Sequence, residues 1–266
     1  MLATVPLMPL SQYDVDDFSY GGISHRVYRR GTGPGVVVMA EIPGITPRVI
    51  EFADAVVERG MSVAMPSLFG ADGAQPSNAK SMRVMAAACV AKEFAAFATK
   101  RDRPVTVWLR ALAADLHERA GGPGVGAVGM CFTGGFGLAM MADESVIAPV
   151  LSQPSVPLGG PKARKDLGMS DATLEIVKQR VSSGCPVLAL RFTGDKLVHA
   201  DRFDELRTAL GDGLLSVEIP SPDASWDISS RAHSVITEEV DHDRQDHPAT
   251  RAFHQVLDFL VERLEV

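Results

Sequence analysis

The sequence predicts an α/β protein built on a mainly parallel, twisted sheet with helices on both faces. Short runs rich in β-branched residues alternate with longer segments of helical spacing, which is typical of repeated βαβ units. Several of these short runs are apolar without interruption, as are strands covered on both faces. The chain has 266 residues, of which 46% are hydrophobic, and this is enough for one large core.

The order of the predicted elements supports a single domain over residues 1–266. The predicted strands are 23–28, 35–40, 61–65, 125–128, 146–151, 187–192 and 215–219. Helical spacing predicts helices over 49–59, 79–100, 105–120 and 249–264. We expect 1–20 to be an N-terminal extension, and the Pro-, Gly- and Lys-containing segment 153–169 to be a surface excursion near the pocket.

Composition restricts the partners and the compartment. The net charge of −7, without a block of basic residues, argues against binding to nucleic acid or to anionic membranes. The apolar segment 1–10 lacks a basic flank and is too short to span a bilayer, so we expect neither an export signal nor an anchor. Cys89, Cys131 and Cys185 suggest neither a disulfide framework nor a zinc site. We therefore expect a cytoplasmic protein that acts on a small molecule.

The heptapeptide at 129–135, GMCFTGG, is the strongest functional motif. An apolar run precedes it and the small-residue segment 134–141 follows it, which predicts a strand, a sharp turn at Cys131 and a helix. This is the nucleophile elbow of the α/β-hydrolase fold, where flanking glycines leave room for the backbone to reverse. The start of a helix also favours a thiolate. The alternative is a small buried cysteine that only fills space.

A cysteine nucleophile needs a base and a group that orients the base. This fold supplies them in the order nucleophile, acid, histidine. Asp195 follows the predicted strand 187–192, and His233 lies beyond the last predicted strand, so we predict Asp195 as the acid and His233 as the base; the alternative for Asp195 is an ordinary loop aspartate. The other histidines fit less well, because they fall on early strands, in helical segments or in a charged stretch expected to be solvated: His25, His117, His199, His254, His242 and His247.

Glu41 follows the buried strand predicted at 35–40. The carboxyl ends of parallel strands form the ligand-binding edge of an α/β sheet. We predict that Glu41 interacts with the thiol, and that the backbone N–H groups of Ile42 and Phe132 form an oxyanion hole. Each such donor contributes on the order of 3 kcal/mol to transition-state stabilisation. The alternative is that Glu41 only caps the turn that follows it.

Together these motifs resemble the dienelactone hydrolases, cysteine-dependent members of the α/β-hydrolase fold, over residues 20–264. The matching segments stand in the family's order: EIPG at 41–44, PSLFG at 66–70, GMCFTGG at 129–135, GD at 194–195 and AHS at 232–234. The resemblance implies hydrolysis of an ester or lactone, of the carboxymethylenebutenolidase type, by a monomer or small homo-oligomer. It also implies that Glu41 helps to control ionisation of the thiol.

The sequence departs from the family where the substrate would be held. Members that act on dienelactone bind its carboxylate with arginines, one of them four residues beyond the catalytic histidine, and Thr237 stands there in this chain. Four arginines could supply a replacement cation, although each is equally explained as a solvated surface residue: Arg83, Arg110, Arg191 and Arg231. We assign none of them. The turn at 152–155, SQPS, either lines the pocket or is an ordinary polar turn.

The predicted mechanism is acyl transfer through a thioester on Cys131. His233 protonates the leaving oxygen and then activates water, while Asp195 holds the imidazole in the required tautomer. This chemistry needs no metal and no organic cofactor. Two alternatives stay open: a general carboxylesterase or thioesterase, and, from another class, a non-catalytic relative that binds a small ligand or senses oxidants through Cys131.

Overall fold

The computed structural model describes residues 9–94, 100–155 and 165–266. The described strands are β1 (Asp14–Tyr20), β2 (Ile23–Gly31), β3 (Gly35–Met39), β4 (Ser62–Pro66), β5 (Val125–Met130), β6 (Val146–Ser152), β7 (Val187–Phe192) and β8 (Leu214–Ile219). The described helices are α1 (Pro47–Glu58), α2 (Asn78–Val90), α3 (Pro104–Ala120), α4 (Gly134–Met140), α5 (Asp171–Ser182), α6 (Ala200–Leu210) and α7 (Pro248–Leu264).

All eight strands form one sheet in the order β1-β2-β4-β3-β5-β6-β7-β8. The neighbouring strands β4, β3, β5, β6, β7 and β8 pair in parallel. β2 pairs antiparallel with both β1 and β4. The predicted fold class is therefore confirmed. β5 lies in the middle of the parallel part, so that its carboxyl end, where Cys131 follows, opens at the centre of the ligand-binding edge.

Two hydrophobic cores lie on opposite faces of this sheet. Successive residues of β3 alternate between them, with Val37 in one core and Val38 in the other, because side chains of a strand point to opposite faces in turn. Helices α3, α4, α5 and α6 contribute buried residues to the first core, and α1 and α7 contribute to the second. Helices thus cover both faces, as the uninterrupted apolar strands predict.

The predicted elements agree with the observed ones to within a few residues, and β7 has its predicted bounds. β1 lies within the segment expected to be an extension, and α5 and α6 lie where no element is predicted. α2 ends at Val90, inside the long helix predicted over 79–100, of which 95–99 lies outside the described residues. None of the described helices is long and apolar enough to cross a bilayer.

The segment 153–169, expected to be a surface excursion, is exposed at Lys165 and buried at its two ends. Gln153 and Ser155 are buried at its start, and Leu167 and Met169 are buried at its end; residues 156–164 lie outside the description. His247, expected to be solvated, is also buried, because it caps α7 by accepting the Ala249 N–H at 3.3 Å.

Candidate active site

The turn after β5 holds Cys131 in a strained backbone conformation. Cys131 has φ +54°, in the left-handed region that side chains other than glycine rarely occupy. A Cβ on Gly129 would lie 2.3 Å from the carbonyl oxygen of Thr133, and one on Gly134 would lie 2.6 Å from Cα of Pro154. Both glycines are therefore required for the close approach of the backbone, and the geometry is that of the predicted elbow.

His233 lies between the predicted acid and the predicted nucleophile. Its Nδ1 is 2.6 Å from Oδ2 of Asp195, while Oδ1 of Asp195 accepts the N–H of Leu197 at 2.8 Å. Nε2 of His233 is buried without a hydrogen-bond partner. One ring nitrogen of His233, Sγ of Cys131 and a carboxylate oxygen of Glu41 all lie within 4.8 Å of one another. The structure thus brings four of the predicted residues together.

The charges of this cluster act on His233. Burial lowers the pKa of His233, whereas the nearby Cys131 thiolate and the hydrogen-bonded Asp195 raise it. The two raising effects together are larger, so the pKa of His233 lies well above the ordinary value of 6.5. An imidazolium between a thiolate and a carboxylate is stabilised by both. The arrangement therefore favours the protonated form of His233.

Ser155, the last residue of the turn 152–155 that the sequence leaves open, is a direct neighbour of Cys131. Its Oγ lies 3.1 Å from Sγ of Cys131, and its backbone N–H donates to the Cys131 carbonyl at 2.9 Å. Ser155 is only 5% exposed, so these two contacts fix its position. Its place directly after β6, at the carboxyl edge of the sheet, is the signal that favours a pocket residue over an ordinary polar turn.

Glu41 is buried and its carboxylate is held by three side chains. Oε1 accepts from Thr237 Oγ1 at 2.5 Å, and Oε2 accepts from Ser234 Oγ at 2.7 Å and from Gln153 Nε2 at 3.3 Å. The hydrogen-bond partner of the Cys131 sulfur among the described residues is Ser155, not Glu41. Glu41 therefore lies close to the sulfur without a hydrogen bond to it.

The two predicted oxyanion donors belong to the turns that follow β3 and β5. Ile42 precedes a cis peptide bond to Pro43, in a turn closed by a 2.7 Å hydrogen bond from the Gly44 N–H to the Glu41 carbonyl. Phe132 follows Cys131 in the 3₁₀ turn of the elbow. No described residue accepts a hydrogen bond from either N–H. Both groups are thus available to a substrate oxygen.

The four arginines left unassigned occupy different environments. Arg191 is buried and paired with Glu218 at 2.5 Å, and Arg110 donates to the Ala139 carbonyl at 2.9 Å. Arg231 is exposed. Arg83 lines a cavity of about 410 Å³ next to Pro43 and Gly44.

Comparison with known proteins identifies the family of the chain. Residues 26–263 match the dienelactone hydrolase family. The chain belongs to that family. Its members are hydrolases of the α/β-hydrolase fold, and the resemblance seen in the sequence is confirmed. No curated protein matches the chain.

Solved structures share the fold of this family member at low identity. A candidate dienelactone hydrolase from Klebsiella pneumoniae subsp. pneumoniae is 17% identical with a TM-score of 0.62, covering 94% of this chain and 98% of that one. A dienelactone hydrolase-like promiscuous phosphotriesterase from metagenomic libraries is 15% identical with a TM-score of 0.59, over 95% and 98%. A cold-adapted esterase from an Arctic intertidal metagenomic library is 16% identical with a TM-score of 0.56, over 94% and 92%.

Proposed function

We propose that this protein hydrolyses an ester or lactone of a small molecule through a covalent thioester on Cys131. The observation that carries the proposal is the position of His233. Its Nδ1 lies 2.6 Å from Asp195, its Nε2 is buried and unpaired, and one of its ring nitrogens lies within 4.8 Å of the Cys131 sulfur. A nucleophile, a base and a group that orients the base in this order are the parts required for acyl transfer.

In the first half-reaction the Cys131 thiolate attacks the carbonyl carbon and a carbon–sulfur bond forms. The carbonyl oxygen becomes an oxyanion, which the N–H groups of Ile42 and Phe132 receive. Collapse of this intermediate breaks the bond to the leaving oxygen, which takes the proton of the His233 imidazolium. The products of this step are an alcohol, still tethered if the substrate is a lactone, and the thioester.

In the second half-reaction His233 acts as a base. Formation of the thioester removes the thiolate charge, which is the largest influence that raises the pKa of His233 against the effect of burial. The neutral imidazole then takes a proton from water, and the hydroxide attacks the thioester. Collapse expels the Cys131 thiolate, releases the acid and leaves His233 protonated, so that the resting ion pair is restored. The same residue thus serves as acid and base because its charge partner changes.

The ester or lactone is the substrate class best suited to this site. A thiolate attacks an activated carbonyl with a good leaving group efficiently, and a lactone keeps its leaving alcohol in place. We propose a dienelactone hydrolase-like reaction of the carboxymethylenebutenolidase type, acting without metal or cofactor. Thr237 stands where dienelactone-binding members carry arginine. The substrates to test are therefore lactones other than dienelactone, either neutral or carrying an acid group.

The test is hydrolysis of an aryl acetate, a dienelactone and an acyl thioester by the wild type and by Cys131→Ala, near neutral pH. We expect Cys131→Ala to lose at least about 10³-fold in kcat, as removal of a nucleophile does. Cys185→Ala is the matched control, because Cys185 is also a free, buried cysteine, and it lies against the Ile147 carbonyl, not in the cluster of Cys131. It should keep wild-type activity.

The relative rates on the three substrates distinguish a lactonase from a carboxylesterase or a thioesterase. Undiminished hydrolysis by Cys131→Ala would overturn the mechanism. Reversible oxidation of Cys131 without turnover of any substrate would favour the redox-sensing alternative.

A further inference from the structure

A pair of buried arginines lies next to the elbow and has no part in the proposed reaction. The Arg103 guanidinium carbon lies 5.8 Å from the centre of the Phe132 ring and 5.4 Å from that of Phe136. A Cβ on Gly135 would lie 3.2 Å from a terminal nitrogen of Arg202. The two arginines are 6% and 4% exposed, so they bring two positive charges into the protein beside α4.

Hydrogen bonds satisfy these cations only in part, although the Arg103 guanidinium also lies within cation–π range of the Phe132 and Phe136 rings. Nε of each arginine is buried without a hydrogen-bond partner. Among the described residues nothing accepts a hydrogen bond from the Arg103 guanidinium, whereas Arg202 donates to the Asp166 carbonyl at 2.6 Å. Buried guanidinium groups are normally paired, because an unpaired buried charge is strongly unfavourable. The arrangement therefore requires either a structural compensation or a ligand.

The chain offers little negative charge to compensate the pair. Asp166 is close enough to act on both cations, but its carboxylate oxygens accept the backbone N–H groups of Lys100 and Gly168 at 2.8 and 2.7 Å. The stretches 1–8, 95–99 and 156–164 and the side chains at 78, 80, 89 and 90, which the structure does not describe, include no Asp or Glu. Two cations therefore face one carboxylate, which leaves one positive charge without a counterion among the described residues.

The electrostatics agree with this count of charges. Burial and the charge of Arg103 lower the pKa of Arg202 to about 10 despite the opposing effect of Asp166. Burial likewise lowers the pKa of Arg103. Both groups stay protonated at neutral pH, and their mutual repulsion is relieved by an anion.

The location is one where ligands bind. Arg103 is the residue before α3, and Arg202 lies in the first turn of α6. Both helices begin at the carboxyl edge of the parallel sheet, the edge that also carries Cys131. Gly168 lies on the other side of the pair, where a Cβ would be 3.5 Å from the Arg103 guanidinium. Because Gly135 and Gly168 carry no side chain, the peptide backbone packs directly against the two guanidinium groups at these positions.

We propose that Arg103 and Arg202 form a binding site for a small oxyanion, a carboxylate or a phosphate. The planar guanidinium presents paired N–H donors that match the oxygens of such groups. The anion is either free in solution or part of a molecule that also reaches Cys131. The site is inferred from the arginines alone and stands independently of the proposed hydrolysis.

The first test is thermal unfolding of the whole protein in chloride buffer at constant ionic strength, with sodium phosphate or sodium acetate replacing chloride. We expect Tm to rise with one of these anions, by about 5 °C at a hundredfold excess over Kd. Arg103→Met and Arg202→Met should lose this rise. Arg251→Met, which changes an exposed arginine of α7, should retain it. Equal responses of the wild type and both buried-arginine variants, or no response to either anion, would overturn the proposal.

The Tm of Arg103→Met without added anion distinguishes a ligand site from a structural role. Replacement of an unpaired buried charge by an apolar side chain of similar length is often neutral or stabilising. We therefore expect Tm in chloride to be unchanged or higher. A fall of more than about 5 °C in chloride, with the phosphate response retained in the folded fraction, would mean that Arg103 serves the fold only.

A second arm identifies the source of the anion. The kcat/KM of an aryl hemisuccinate is compared with that of an aryl butyrate, which has a similar length but no charge. A fall of about tenfold in the ratio of these two values in Arg103→Met, with competitive inhibition of the hemisuccinate by phosphate, would show that the anion belongs to the substrate. An unchanged ratio together with the phosphate-dependent Tm would show a free anion. Because the Tm test needs no turnover, it stands even if the proposed hydrolysis fails.

Discussion

Thr237 donates a 2.5 Å hydrogen bond to the buried carboxylate of Glu41. In dienelactone-binding members the corresponding position carries an arginine that holds the substrate. Here the side chain faces inward, is 2% exposed and fixes the carboxylate that lies within 4.8 Å of the Cys131 sulfur. The substitution therefore exchanges a contact to substrate for a contact within the site.

Thr237→Val should destabilise the protein, because it removes this hydrogen bond without changing the shape of the side chain. Loss of one partner of a buried carboxylate costs about 1–3 kcal/mol. Urea unfolding measures this as a lower midpoint with an unchanged m value. The control is Thr208→Val on an exposed helix face, where the hydroxyl only contacts the Asp204 carbonyl. Equal midpoints for the wild type and Thr237→Val would contradict the role assigned to this bond.

Ser155→Ala should slow the alkylation of Cys131 by iodoacetamide at neutral pH. The serine hydroxyl, 3.1 Å from the sulfur, can donate a hydrogen bond to a thiolate, which is the reactive form of cysteine. Because a hydrogen bond to a charged group stabilises that group, we expect the alkylation rate to fall by about tenfold. Ser183→Ala, which changes an exposed serine whose hydroxyl contacts the Gln179 carbonyl, serves as control. An unchanged alkylation rate in Ser155→Ala would show that Ser155 only packs against the sulfur.

The pKa of His233 should depend on Cys131. It lies well above 6.5 in the folded protein because the thiolate and Asp195 outweigh burial. Because the pKa is higher in the folded protein than in the unfolded chain, protonation of His233 stabilises the fold. This contribution is fully present below pH 6.5 and is lost as the pH rises through the folded pKa. Activity should follow the same titration, because the proposed reaction begins with protonated His233, so the alkaline limb of kcat/KM should lie well above pH 6.5.

NMR titration of the His233 ring checks this directly. In Cys131→Ala the ring should titrate at a lower pH than in the wild type, since the largest influence that raises its pKa is gone. Cys185→Ala should leave the titration unchanged. An identical pKa in Cys131→Ala would mean that no ion pair with the thiolate forms.

Asp195→Asn should reduce kcat by roughly 10³–10⁴-fold while the protein stays folded, because an amide in place of the carboxylate favours the wrong imidazole tautomer. Steady-state kinetics on the aryl ester, with circular dichroism to verify folding, measures the effect. Asp212→Asn, at an exposed aspartate before β8, should be unaffected. A loss of less than tenfold in Asp195→Asn would remove Asp195 from the triad.

The parts of the fold that sequence predicts are those whose patterns are set by burial. The uninterrupted strands and the helices α1, α3 and α7 fall where their periodicity places them, because each buries a continuous apolar face. The sequence does not predict β1, because β1 is an exposed edge strand with three aspartates. It therefore lacks the apolar alternation that marks a half-buried strand. α5 buries only Thr173 and Val177, which is too little to produce a helical pattern.

The same distinction holds for the site. Cys131, Asp195, His233 and Glu41 each follow or adjoin a predicted strand, so local motifs were sufficient to place them near one edge. The contact of Ser155 with the sulfur depends on the path of the chain after β6, which no local pattern fixes. The meeting of Arg103 with Arg202 depends on where α3 and α6 begin, and each alone is an ordinary charged residue in the sequence.

The most direct test of the central claim is to trap the acyl-enzyme. Wild type and Cys131→Ser are mixed with an aryl acetate, quenched in acid during turnover, digested, and mapped by mass spectrometry. We expect an acetyl group on the peptide that contains Cys131 in the wild type. It should be released by neutral hydroxylamine, and it should not form on enzyme whose Cys131 was first alkylated with iodoacetamide. An acetyl group on another residue during turnover, or undiminished hydrolysis by the enzyme alkylated at Cys131, would contradict the account.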